Sequence, residues 1–453
     1  MKNNISVLKF GGTSMGSAST IFECVKVIKE RIEENKKPFV VVSAISKMTD
    51  TLLKMLDLAI NKKRRQLEQT LNDIMKRHFE ILHNITKNEK FIQKYTLLLN
   101  DKFAMLSSIL DGIILTSDYS DQMKAYILSF GEDLSSDLIE LSLIENEVNA
   151  KKIHSKYLVK TTGNCLSADV DFEKTKKAFK KIMPDIKNGI TYIMTGFVGG
   201  TSKNKVMLLG RGGSDFSASI AGIALDANIV EIWTDADGIL SADPRLIPNA
   251  KHWKKMNKTV ASEMARAGAK VLHPKTIYAS YYNIDIVIRN LFNKENTGTL
   301  IDHNTYGNNI YGIVSDKGYS ILHFENQNMF GEIGFIAKIG LLANENNIVL
   351  DLISTSETSI SFTTKTDALT PKSIQLFSSI AQLSVINNVS KISIIGENIN
   401  TSNNLSNIFS ILDKHNIQPL MLTMGQSSYN IGLIVEEKNT ENVLSILHDG
   451  LIK

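Results

Sequence analysis

TGFVGGTSKNKVMLLGRGGSDFSASIAGIALDANIVEIWTDADGILSADPR, residues 195–245, decides how the rest of the chain is read. It alternates short apolar runs with polar turns. Met207, Leu208 and Leu209 end one run, and Gly210, Arg211, Gly212, Gly213, Ser214 and Asp215 form a glycine-rich turn after it. The small-residue stretch from Ser217 to Leu225 suits a buried helix, and Ile229 to Trp233 a buried strand ending in Thr234, Asp235, Ala236, Asp237 and Gly238. Strands alternating with helices predict a mostly parallel sheet covered on both faces, with ligands held where strands end. Both polar turns are expected at that edge. Arg211 between glycines suits an anion, because bare backbone amides and a helix N-terminus approach it. Taken alone, the same glycines read equally well as a tight turn, with Asp215 capping the helix.

Outward from this stretch, the chain opens on a strand, ISVLKF (5–10), followed by Gly11, Gly12, Thr13 and Ser14 and a helix from about Ser17 to Glu34. Lys9 is out of place in a buried strand unless it points into a site or snorkels at the strand end. The strand–turn–helix is a phosphate cradle in its physics, yet neither GxxxxGK[ST] nor GxGxxG after a strand occurs. PFVVVS (38–43) predicts a second strand, with Thr49 and Asp50 opening a helix near Thr51. Residues 52–128 read as helices without evident chemistry. SFGEDLSS (129–136) reads as a polar helix start, with Glu132 as its first-turn acid.

With 453 residues, two or three domains are expected. A net charge of +4 argues against a general nucleic-acid or membrane role. Two scattered cysteines make neither a disulfide framework nor a zinc site, which predicts a cytoplasmic protein. No secretory leader and no apolar run long enough to span a bilayer are read.

From about residue 310 an α+β module recurs. Asn347-Ile348, Leu352-Ile353 and Thr358-Ser359 align with Asn416-Ile417, Met421-Leu422 and Ser427-Ser428 at a constant offset. NKENTGT (293–299) is a linker candidate between this half and the first.

GFVGG, LLGRGGSD, WTDADGI and SADPR in this order, together with KFGGTS (9–14), SFGEDLSS and GAKVLHP (268–274), resemble the amino-acid kinase family, and within it the aspartate kinases. The repeated module is similar to their paired ACT regulatory domains. The resemblance implies an α/β amino-acid kinase fold, a mostly parallel sheet between helices, over residues 1–300, with C-terminal α+β ACT domains at 310–384 and 385–453, possibly intertwined. It implies ATP-dependent phosphorylation of the aspartate side-chain carboxylate, in lysine, threonine and methionine biosynthesis, with ATP and Mg2+ required.

The roles below also come from the resemblance. Lys9 bridges the phosphates, and Asp215 orients Lys9 or magnesium-bound waters. Thr49, Glu132, Arg211 and Ser214 hold the substrate, Glu132 on its ammonium and Arg211 on its α-carboxylate. Lys9, Phe10, Gly11, Gly12, Thr13, Thr234, Asp235, Leu240, Arg245 and Lys270 hold ATP. Ser241 stands where a threonine is expected. Met329, Gly334, Ile336, Leu350, Asp351, Ser356 and Glu357 form the effector site, with lysine as effector, although Glu332 replaces a small polar residue there. No protein metal ligand is assigned. A homodimer or dimer of dimers is expected. No fused homoserine dehydrogenase is expected, since the chain ends after the second module and lacks a dinucleotide fingerprint. The rivals are a glutamate, acetylglutamate or nucleoside-monophosphate kinase, and an inactive amino-acid-binding regulatory subunit.

Overall fold

The computed structural model describes residues 4–269, 273–307, 310–325, 334–425 and 428–452. Two compact units divide the chain: Met1–Ile239 with His273–His303, and Leu240–Leu272 with Asn304–Lys453. The segment 240–272, expected to go with residues 1–300, thus groups with the C-terminal half.

The first unit is built on one sheet. Its order is Thr299–Asp302, Asp285–Asn290, Ile229–Thr234, Ile5–Phe10, Lys37–Val42, Thr191–Thr195 and Ala150–Ile153. All neighbours are parallel except the Thr299–Asp302 pair. Thr299–Asp302 begins at the end of the linker candidate, so that stretch leads into a sheet strand. Ile5–Phe10 is central and buried at all six positions, as a mostly apolar strand between two parallel neighbours is expected to be. Helices cover the sheet. Ala18–Glu33 starts at Ser17 through a capping box with Thr20, and Met48–Ile60, Arg64–Ile85, Glu89–Thr116 and Asp121–Glu145 add to the core over that face.

Two expectations change here. The strand before the glycine turn is Val206–Leu208, and it pairs antiparallel with Val198–Gly200 in a separate hairpin. Three residues separated from Val198–Gly200 by a polar loop close locally, so they never join the parallel sheet. Residues 129–136 are not a helix start. They lie in the middle of one helix, Asp121–Glu145, capped by Ser120. Gly131 and the serines there permit close packing: a Cβ on Gly131 would lie 2.8 Å from the Ala44 Cβ.

The second unit carries the repeat in one six-stranded antiparallel sheet ordered Ile353–Thr355, Ser359–Lys365, Ile310–Glu325, Gln382–Gly396, Asn430–Glu436 and Met421–Met424. The two long central strands pair with each other, one from each copy. The helices Phe335–Glu345 and Ser402–Lys414 occupy equivalent places, as do Pro371–Ser378 and Thr440–Leu451. Gln382–Gly396 crosses residue 384, so the two copies share a sheet and meet inside a strand. Among the described residues, no helix is long and apolar enough to cross a membrane.

Candidate active site

The strand ends of the first unit converge on one cavity of about 760 Å³. Lys9 and Arg211 both line it, with Gly12, Ser43, Ala44, Thr49, Glu132, Ser214 and Asp215. Lys9 is next to last in the central strand, level with Val41 and Ile232 on either side, and its amine pairs with Asp215 Oδ1 at 2.6 Å. Asp215 is therefore no helix cap. The residue before Gly213–Leu225 is Gly212, in a left-handed conformation with no side-chain cap, and Asp215 is turned toward Lys9.

Gly212 has φ +65°, and a Cβ there would meet the His273 ring at 2.2 Å. That ring also accepts the Lys275 amide at 3.2 Å, so His273 fixes the arginine turn. Gly196 is also tightly packed, since a Cβ there would lie 2.8 Å from Ser214 and from the Val42 carbonyl. These close approaches hold Arg211, which is exposed, at the cavity wall.

Glu132 is buried at 3 % exposure. Loss of water pushes its carboxyl up to about 8, against hydrogen bonds from the Ala44 amide and Ser214 and the nearby Lys9 charge. Ser214 Oγ donates to Oε1 at 3.5 Å, while Oε2 is buried with no hydrogen-bond partner. A buried acceptor left open on a cavity wall is matched by a cationic donor. Ser135 binds the helix to the Ser43 carbonyl at 2.7 Å.

The glycine turn after the central strand folds under the acidic turn. The Gly11 amide reaches the Trp233 carbonyl at 3.3 Å, Thr13 Oγ1 donates to Asp235 at 3.5 Å, and Thr234 Oγ1 to Asp235 at 3.1 Å. Asp237 is taken up by Asn290 and Asn293, which tie the acidic turn to the next strand.

Not every expected residue is among those lining the cavity. Phe10 offers it no side chain, being wholly buried in the core because its side chain alternates away from Lys9. Leu240 and Arg245 belong to the second unit, where Arg245 binds Asp243 at 2.9 Å. Lys270 and Met329 lie outside the described residues. Of the effector set, Gly334 caps Phe335–Glu345 and Ile336 and Glu357 are exposed, while Leu350 packs on the cluster holding Phe335. Ser356 closes a turn on Ser359, Oγ to Oγ 2.7 Å.

Sequence reasoning missed Lys47, Lys124, Leu128 and Leu166, which also line the cavity. It missed a buried ionic lattice too. Lys102 and Lys152 each pair with both Asp133 and Asp137, on the helix that carries Glu132. Burial opposes the charge on Asp133, but the two ammoniums pull its carboxyl well below the usual range. Nothing local signals this lattice, because its lysines come from two other elements.

A cationic strand end, glycine turns and acidic side chains thus meet at the carboxyl edge of a parallel sheet, where such folds hold their ligands. Residues 4–290 match the model of the amino acid kinase family and residues 392–451 that of an ACT domain, so the chain belongs to the amino acid kinase family. It is 31 % identical over 477 residues to the bifunctional aspartokinase/homoserine dehydrogenase of Buchnera aphidicola subsp. Acyrthosiphon pisum, which covers 99 % of this chain and 56 % of that protein. The chain thus spans about half of that relative. It is 29 % identical over 463 residues to the chloroplastic aspartokinase 3 of Arabidopsis thaliana, covering 99 % of this chain and 81 % of the relative. The structure is similar to E. coli aspartokinase III in complex with aspartate and ADP (R-state), at TM-score 0.85 and 26 % identity over 99 % of this chain and 100 % of the other. The same enzyme in complex with lysine and aspartate (T-state) matches at TM-score 0.80 and 26 % identity, covering both chains fully.

Proposed function

We infer that this chain is an aspartate kinase, transferring the γ-phosphoryl group of ATP to the side-chain carboxylate of L-aspartate. The observation that carries this is the shared cavity. Lys9 with Asp215, Arg211, Glu132 and Thr49 all face it. The substrate carboxylate is already ionised, so the step needs no general base. One of its oxygens bonds to the γ-phosphorus as the bond to the β,γ-bridging oxygen breaks, and ADP leaves with that electron pair. The obstacle is the approach of two anions, worth about 4 kcal/mol per charge pair at 4 Å and an effective dielectric of 20. Lys47, Lys124 and Arg211 on the walls offset it against Asp50, with Lys9 shared between Asp215 and the phosphates and burial favouring the neutral form of Glu132.

In this reading Arg211 takes the α-carboxylate, Glu132 the ammonium through its open oxygen, and Thr49 and Ser214 orient the substrate. Gly11, Gly12 and Thr13 cradle the phosphates, while Thr234, Asp235, Leu240, Arg245 and Lys270 serve the nucleotide. Among the described residues no cluster of three or more acidic, histidine or cysteine side chains could hold a metal ion. The carboxylates of Asp215 and Asp235 would suit the waters of a hydrated Mg2+ carried on the phosphates, which would neutralise charge there. Lysine is the effector, acting through Leu350, Asp351, Ser356 and Glu357 with Met329, Gly334 and Ile336. The protein assembles as a homodimer or a dimer of dimers and works in the cytoplasm. ADP release measured with magnesium-ATP and either aspartate or glutamate tests the activity. Turnover with aspartate alone is expected; turnover with glutamate, or none with aspartate, refutes it.

A further inference from the structure

Asp351 is not an open acid. Its carboxylate is ion-paired with Lys391, a residue of the long strand Gln382–Gly396 whose side chain is only 8 % exposed. Asp351 itself is held by its amide to the Thr363 carbonyl at 2.9 Å, and the next residue, Leu352, packs against the cluster of Tyr319, Val389, Met421 and Ile434. The surroundings complete a charge-balanced set. Tyr319 donates to Asp316 at 2.9 Å, Lys365 reaches Asp316 at 2.8 Å, and the two lysine amines lie 4.0 and 5.4 Å from the Tyr319 ring centroid. Each acid has a lysine of its own. An incoming ammonium therefore finds Asp351 already neutralised by an amine of its own chemical kind.

We propose that Lys391 is an intramolecular counter-ion that competes with a cationic effector for Asp351, and so determines how strongly the regulatory unit responds to lysine. This rests on the reading of Asp351 as an effector contact. The effector's side-chain ammonium must displace the Lys391 amine, and the displaced amine must find water or Asp316. Lys391 comes from the second copy of the repeat and Asp351 from the first, joined through the shared sheet. Displacement thus loosens a tie between the copies at the moment of binding.

The test titrates lysine against the aspartate-dependent ADP release of the full chain and follows the lysine-induced shift of the melting temperature. Lys391→Met removes the competing charge while retaining a side chain of similar length, and Lys391→Arg keeps the charge. Thermal scans without lysine establish that both are folded, and Lys391→Gln replaces the methionine variant if it is not. The methionine variant is expected to respond at about tenfold lower lysine, the worth of one charged hydrogen-bond partner. The arginine variant is expected to match the wild type. Inhibition that appears only in the methionine variant supports the proposal equally. An unchanged midpoint in Lys391→Met, with inhibition abolished by Asp351→Ala, overturns it and leaves the effector reading standing. A lysine response that Asp351→Ala leaves intact, or none in any variant, overturns the effector reading and this proposal with it.

Discussion

Replacing Glu132 by glutamine removes a carboxyl that burial holds at about 8 instead of 4.5. The substrate ammonium needs the ionised form, yet the free protein at pH 7 holds the proton. Ionising the group there costs about 1.4 kcal/mol, a factor of ten in apparent affinity. For the wild type, kcat/KM for aspartate should rise roughly tenfold per pH unit up to about pH 8 and then level. Glu132→Gln should flatten that profile and lower its plateau about a hundredfold, since a desolvated charge partner is lost.

Stability moves the opposite way. A raised carboxyl leaves the folded state with the extra proton between pH 4.5 and 8, so wild-type stability falls as pH rises through that window. The glutamine variant lacks this penalty. It should unfold later at pH 7, by at most about 3 kcal/mol, with the gap closing as pH falls toward 4.5. The assays are steady-state ADP release against aspartate at saturating ATP from pH 6 to 9, and chemical denaturation of the ligand-free protein. A wild-type kcat/KM indifferent to pH, or a Glu132→Gln variant with unchanged KM for aspartate, refutes the reasoning.

Lys9→Ala should lower kcat about a thousandfold, because the amine stabilises charge that develops only during transfer, while ATP binding measured by calorimetry weakens little. Gly212→Ala should destabilise by about 2 to 4 kcal/mol, read from thermal unfolding, since the new Cβ needs a left-handed backbone and space filled by His273. Arg31 and Glu231 form a buried pair at 2.7 Å, with side chains 6 % and 2 % exposed. Arg31→Met should therefore cost about 3 to 5 kcal/mol in denaturant unfolding, and the double variant with Glu231→Leu should recover most of it.

Lys9 and Arg211 could be picked out in the chain because each breaks a local rule, whereas Glu132 and Asp215 obey local rules and stood out only through the family resemblance. Lys9 is a charge inside a buried strand, and Arg211 lies within a glycine run. The 69-residue repeat was legible for the same kind of reason, as a pattern recurring along one dimension. The partners of these residues were not. Asp215 carries two local readings, helix cap and site residue, and only its 2.6 Å contact with Lys9, some 200 positions away, chooses between them. Glu132 reads locally as a first-turn acid; its depth in the middle of Asp121–Glu145 follows from Gly131 packing against Ala44.

Local propensity and apolar period thus determined the strand–helix alternation, the paired modules and the chemistry-bearing turns, since those properties depend on residues near in sequence. Tertiary packing alone decided that the glycine turn leaves the parallel sheet on a hairpin, that Leu240–Leu272 groups with the C-terminal half, and that Asp351 is answered by Lys391. Burial and ion pairing are sums over neighbours in space, and no single segment of the chain contains those neighbours.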